Sequence, residues 1–242
     1  MKIYTLGTSH GAAEKGRACT STLLESGGNL YLIDCGGSVE AKMTDLGLNF
    51  ADLRAVFVTH MHEDHAGALS AVVKRVWGYT KGEGRALVCL PEQNGIDAFC
   101  AWMQALHASN MDRISFQCVT PGRFYDDGVI AVTAIPTRHL GDSFPSYAYK
   151  IECEGKTVLF SGDVRGDYSD FPKEAWEENF DCIISELTHF TFADVFESMK
   201  KFRTKKLIFN HVSARNTNVA APVLPEFPFE TVIAFDGVCY EI

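Results

Sequence analysis

The sequence predicts an α+β fold of two β-sheets packed face to face with helices on the outside. Each half of the chain opens on a run of short β-like segments and then passes into strand–helix alternation. That pattern is expected when helices cover the outer faces of two stacked sheets. The 242 residues are 46% apolar and 22% charged, enough for one substantial core. No linker, low-complexity tract or solenoid repeat interrupts the chain, so residues 1–242 read as one domain.

The elements follow in order. Residues 2–6, 21–25 and 29–33 read as strands, the last two joined by the Gly27-Gly28 turn. Residues 38–46 predict a short helix capped by Ser38. Ala55-Val56-Phe57-Val58-Thr59 is a buried strand, and 64–77 has helical periodicity. A strand over 86–90 precedes a helix over about 92–106, which opens just after Pro91. The second half begins with strands near 114–119 and 129–135. A hairpin of 147–153 and 157–160 turns through Glu154-Gly155-Lys156. Further strands fall at 182–185, 206–209, 231–234 and 238–241, with helices near 173–178 and 193–202. The Pro-rich stretch 221–229 reads as an irregular loop.

Bulk properties narrow the function. The net charge of −9 argues against a broad basic face for long nucleic acid, whose phosphates demand many Lys and Arg. No apolar run reaches the ~18–20 residues of a membrane helix, and the N-terminus lacks a signal-peptide pattern. A cytoplasmic protein is the expectation. The eight cysteines are scattered with no Cys-x-x-Cys pair, which predicts reduced, mostly structural thiols and no zinc knuckle.

The densest chemical signal is Thr59-His60-Met61-His62-Glu63-Asp64-His65, between a buried strand and a helix. In an extended turn His60 and His62 point to the same side, while Asp64 and His65 open the helix. One segment can thus offer two ligands to one ion and two to its neighbour, in donor types that suit zinc. His139, Asp163 and His211 each follow an apolar strand. Alone, each reads as an ordinary surface residue; together with the cluster they make a dinuclear ligand set. Asp34, at the end of a strand and before Cys35-Gly36-Gly37, is the candidate to fix a ligand imidazole through its other ring nitrogen.

Asp34, the His60-x-His62-x-Asp64-His65 box, His139, Asp163 and His211 match in order the motifs of the metallo-β-lactamase fold superfamily, which the chain resembles over nearly its whole length. The resemblance implies a four-layer αββα sandwich with metals at one edge. It also implies that His60, His62 and His139 hold one ion, Asp64, His65 and His211 the other, and that Asp163 bridges them. Aspartate at 163, the segment 144–151 and the turn Leu6-Gly7-Thr8-Ser9-His10-Gly11 resemble the ribonuclease Z-like and phosphodiesterase branch. Ribonuclease Z carries a long arm that grips transfer RNA. Only 23 residues separate His139 from Asp163 here, too few for that arm. A smaller, nucleotide-like phosphodiester is the expected substrate.

The expected chemistry is hydrolysis by a hydroxide bridging two divalent ions, most simply Zn²⁺, with Mn²⁺ and iron as alternatives. Asp64 would bind an ion and orient the hydroxide. A leaving alkoxide needs a proton donor. His189 is the candidate, with Glu186 as its orienter, against the plainer reading of a surface histidine. His10 can reach the pocket from its glycine-flanked turn. Arg138 is either a phosphate clamp or a surface salt bridge. His107 reads as structural or exposed, and Trp77 and Trp102 as core or pocket wall. The alternatives are hydrolysis of a thioester, lactone or lactam, and a metal-binding or sensing module without turnover. A homodimer is compatible with the sequence, which does not fix the oligomeric state.

Overall fold

The computed structural model describes residues 1–108 and 111–242. Among the described residues fourteen strands form two sheets of seven. The first sheet contains β1 (Lys2–Gly7), β2 (Ser21–Ser26), β3 (Asn29–Ile33), β4 (Leu53–Phe57), β5 (Ala86–Leu90), β6 (Ile114–Cys118) and the C-terminal β14 (Val238–Glu241), in the order β14-β1-β2-β3-β4-β5-β6. The second is built from β7 (Gly122–Asp126), β8 (Ile130–Thr137), β9 (Ser146–Cys153), β10 (Lys156–Phe160), β11 (Cys182–Leu187), β12 (Lys206–Val212) and β13 (Glu230–Ile233), in the order β13-β12-β11-β10-β9-β8-β7. Each sheet begins with antiparallel neighbours and ends with parallel ones.

Helices α1 (Val39–Asp45), α2 (Glu63–Ala66), α3 (Leu69–Tyr79) and α4 (Gln93–Ala105) belong to the first half. α5 (Glu174–Glu177), α6 (Phe192–Met199) and α7 (Ala214–Ala220) belong to the second. The layers follow from the two-residue period of strand side chains. In the first sheet Tyr4, Leu23 and Leu32 point outward to a core shared with Met43, Val72, Val76 and Met103 of the helices. Their neighbours Ile3, Leu24 and Ile33 point inward, where they meet Val158, Phe160, Ile184 and Ile208 of the other sheet. Leu159, Ile183, Leu207 and Phe209 face outward onto Ala175, Val195, Met199 and Ala220. Each Val, Leu, Ile, Phe or Met among these, buried completely, stabilises the fold by about 1.5–3 kcal/mol. These four layers are the expected αββα sandwich.

Local differences from the sequence reading have physical causes. The helix expected over 64–77 is two helices, because the Ala68 N–H bonds Cys35 C=O and leaves the helical ladder. Ser38 precedes α1 but does not cap it; its backbone is left-handed (φ 56°) and its side chain makes no cap bond. The buried strand expected at 55–59 lies at Leu53–Phe57, which frees Thr59 onward for the ligand turn. The half-exposed β7 and the mostly polar α7 lie outside the predicted elements, and the Pro-rich stretch begins as a 3-10 helix, Ala221–Glu226. All eight cysteines are free. His107 is exposed and Trp102 is 55% exposed, while Trp77 packs against the first core. No helix among the described residues is long and apolar enough to cross a membrane.

Candidate metal centre

Strand direction decides where the polar residues gather. β3 and β4 run parallel, as do β10, β11 and β12. β8 and β10 both run antiparallel to β9, so they share a direction. The C-terminal ends of these strands carry Asp34, the 59–65 turn, His139, Asp163, His189 and His211. Thr59 C=O accepts the Tyr147 N–H at 3.0 Å, and the Tyr149 hydroxyl donates to Val58 C=O at 2.6 Å. Those bonds lock the two sheets together beneath the cluster.

The 59–65 turn is held from behind by the strand end at Asp34. The Asp34 Oδ1 accepts the Thr59 N–H at 2.8 Å, and Oδ2 lies 2.8 Å from His65 Nδ1. Asp34 has a left-handed backbone, φ 58°, which turns the chain sharply after β3. The Cys35 N–H bonds His65 C=O at 2.6 Å, and Gly36 packs so tightly that a Cβ there would sit 1.7 Å from Asp64 O. Glycine at 36 is therefore a requirement of the close approach. Asp34 thus fixes which nitrogen of His65 faces the cluster.

Ligand-type atoms converge as the spacing predicts. His60 Nε2 and His62 Nδ1 are 3.0 Å apart. His60, His62 and His139 form one triad whose ligand atoms lie within 4.8 Å of one another, and Asp64, His65 and His211 form a second. Between them, Asp163 Oδ2 is 3.3 Å from His65 Nε2 and 3.7 Å from both His60 Nε2 and His139 Nε2. Asp163 Oδ1 is 3.7 Å from His211 Nδ1. Gly162 allows that placement, with φ +57° and Tyr147 O only 2.5 Å from where a Cβ would be.

The donor set fits cations. Among the described residues, buried His65 Nε2, His139 Nε2, Asp163 Oδ1 and His211 Nδ1 have no hydrogen-bond partner, although buried polar atoms nearly always find one. Burial would raise the Asp163 pKa, yet His211, His65 and His60 hold its carboxyl well below the usual range. Burial, with neighbouring imidazoles, pushes His60 and His139 down, so both are neutral as a metal requires. Burial opposes a charge on His65, but Asp163 and Asp34 raise it well above an ordinary imidazole. A dication would compete with that proton.

His189 stands beside the cluster, its Nδ1 2.8 Å from Glu186 Oε2 and 3.7 Å from Asp163 Oδ2. Glu186 is buried and fully engaged, accepting also the N–H groups of Val164 (2.7 Å), Thr188 (3.1 Å) and His189 (3.0 Å). Burial disfavours the charged ring, but the Glu186 hydrogen bond and charge, helped by Asp163, raise the His189 pKa to about 9. Beyond His189 opens a groove of about 400 Å³ lined by His10, Thr188, Thr191, Ser213, Arg215 and Asn216, with Phe192 and Val219 as apolar wall. His10 reaches this groove and bonds Glu14 at 3.2 Å. Arg138 does not join it. Its guanidinium is 68% exposed and 3.3 Å from Asp142, the salt-bridge alternative of the sequence reading. Arg215 and Asn216 escaped that reading, although the pattern Ser213-x-Arg215-Asn216 directly after His211 was available to point to them.

A family model described as anti-Pycsar protein Apyc1 matches residues 1–219. Ribonuclease Z of Mycolicibacterium paratuberculosis is 27% identical over 177 residues, 68% of this chain and 63% of that protein. The match therefore spans less than two thirds of that relative's length. The metallo-β-lactamase fold protein YhfI from Bacillus subtilis superposes with a TM-score of 0.78 at 21% identity, covering 99% of each chain. The short form of human tRNase Z gives a TM-score of 0.79 at 18% identity, covering 100% of this chain and 99% of that one. The chain has the metallo-β-lactamase fold.

Proposed function

The chain belongs to the family described as anti-Pycsar protein Apyc1, and from that premise we propose that it is a metal-dependent phosphodiesterase acting on a small phosphodiester or cyclic nucleotide. In this reading His60, His62 and His139 hold one divalent ion, Asp64, His65 and His211 hold a second, and Asp163 serves both. Zinc is the metal that best suits imidazole and carboxylate donors in this number. When bound, the two ions supply an activated water at neutral pH and countercharge for the phosphoryl oxygens.

The chain's own residues do the rest. Asp64 orients the attacking water from the first turn of α2. His189 donates a proton to the departing alkoxide from Nε2, because its Nδ1 is committed to Glu186. The leaving group lies in the groove beyond His189, where hydroxyls, an amide and Arg215 meet an apolar wall. Its volume of about 400 Å³ falls in the usual range for small-ligand sites.

One observation carries the phosphodiester reading: an imidazole held by the buried Glu186 carboxylate beside the ligand cluster. A phosphodiester's departing alkoxide needs such a donor, whereas a thioester's thiolate leaves without one, so the donor favours the phosphodiester over the thioester alternative. Ribonuclease Z among the relatives, a nuclease by name, is consistent with phosphoryl chemistry. The net charge of −9 and the short connection between β8 and β9 favour a small substrate over long RNA.

The test is a panel of an alkyl phosphodiester, a 2′,3′-cyclic nucleotide, an aryl phosphodiester, a thioester and a chromogenic lactam. Each is run before and after chelation and with zinc or manganese added back. Chelator-sensitive turnover of the phosphodiesters supports the proposal. Turnover confined to the thioester or lactam overturns it in favour of carboxyl chemistry. Tight metal binding with no turnover would point to a sensing module.

A further inference from the structure

Asp170 lies in the loop between Asp163 and α5, and its carboxylate touches two ligand-bearing segments at once. Oδ1 accepts the Arg165 N–H at 2.8 Å, two residues beyond Asp163. Oδ2 accepts the N–H of Arg138, the residue before His139. β8 and β10 are not hydrogen-bonded neighbours, since β9 lies between them. Past the ends of those strands no ladder among the described residues holds the two loops together. A carboxylate accepting two backbone N–H groups is a directional, charge-assisted bracket across that gap. Among the described residues the other hydrogen bond across that gap is His139 Nδ1 with Val164 C=O, at 3.3 Å.

The loop is built to deliver this carboxylate. Tyr168 adopts a left-handed backbone, φ 60°, which side chains rarely take. Its ring is stacked on Phe171 and edge-on to Phe190, with centroids 4.7 Å apart in both cases. Asp167 closes the turn, accepting the Ser169 N–H at 3.1 Å and its hydroxyl at 2.6 Å. Asp170 then reaches both loops from an anchored position.

We propose that Asp170 is a positioning residue whose carboxylate clasps the His139 and Asp163 loops and sets the affinity of the cation held by His60, His62 and His139. This rests on the metal-dependent reading above. The clasp fixes where His139 Nε2 stands relative to Asp163 Oδ2, 3.7 Å away. Residues that orient metal ligands typically change metal affinity by about 10–100-fold when removed.

The test is stepwise zinc affinity of the full chain, read by competition with a chromophoric chelator, with the visible spectrum of the cobalt(II)-loaded protein as a second readout. Asp170→Ala is expected to weaken one of two ions by about 10–100-fold and to alter the cobalt bands. Asp170→Asn keeps one acceptor oxygen and gives a smaller loss in the same ion, which also serves if the alanine variant does not fold. Asp167→Ala loosens the turn that presents Asp170 but leaves the Asp170 carboxylate itself in place, so its loss of zinc affinity is smaller than that of Asp170→Ala. Wild-type affinity in both Asp170 variants overturns the clasp, as does an equal loss in Asp167→Ala. A wild-type protein that binds no zinc overturns the metal reading and the clasp with it, and is recognised because no variant is needed to see it.

Discussion

The two sheets contribute to the site in opposite ways. From the first sheet, one turn supplies His60, His62, Asp64 and His65 within six residues, with Asp34 one strand away bracing it. From the second, single residues arrive at the ends of four strands: His139 after β8, Asp163 after β10, His189 after β11 and His211 in β12. Chain connectivity keeps the first group close together, and bonds from Asp34 and Cys35 brace it. The second group depends on strand register and on side chains that tie separate loops, such as Glu186 to the Val164 N–H. The contrast teaches that the first half is a preformed ligand turn, whereas the second half is a constellation that exists only when the whole sheet is folded.

The sharpest way to break that comparison is Asp163→Ala. This carboxylate approaches His60, His65, His139 and His211, so its removal is expected to release both ions. Metal assistance is worth several kcal/mol, so kcat/KM should fall by about 10³-fold or more. Metal analysis alongside kinetics checks it; a variant that keeps two ions would show that the six other ligands hold them without Asp163. Next in size is His189→Ala, expected to lower kcat on an alkyl phosphodiester by about 10²-fold or more. A nitrophenyl ester needs no donor and should lose no more than about threefold. Equal losses on the two substrates would mean that His189 does not protonate the leaving group.

On the side of the first sheet, Asp34→Ala leaves the ligands in place but frees the His65 ring and the Thr59 backbone. Zinc affinity should weaken by about 10–100-fold, measured by chelator competition. The smallest effect is a displacement in pH. His189 carries its proton fully below its raised pKa and loses it as pH rises through about 9, so alkyl-ester kcat has its basic limb there. Glu186→Gln removes the carboxylate that raises this pKa, and the limb should move toward the ordinary imidazole value of about 6.5. A limb that stays in place would assign it to another group.

The unequal legibility of the two halves follows from the same contrast. The 59–65 turn was readable because four ligand residues within six positions are dense. Asp34 was readable because it ends an apolar strand before two glycines. His139, Asp163 and His211 gained meaning only together, each being unremarkable beyond its own strand. Arg138 shows the limit: it adjoins His139 in sequence, but its side chain turns out to Asp142. β7 and α7 were missed because neither carries a strong apolar period; α7 buries only Ala220.

By itself the amino-acid order determined the alternation of inward and outward side chains, the four layers and the ligand-rich turn. All of these are patterns over a few residues, set by backbone periodicity and chemical type. Tertiary structure alone decided the break between α2 and α3, the groove beyond His189, and the partnerless atoms at His65, His139, Asp163 and His211. It also decided the Asp170 clasp. Each depends on groups far apart in the chain meeting across a sheet or a loop. Such meetings are set by register and packing, which local composition does not encode.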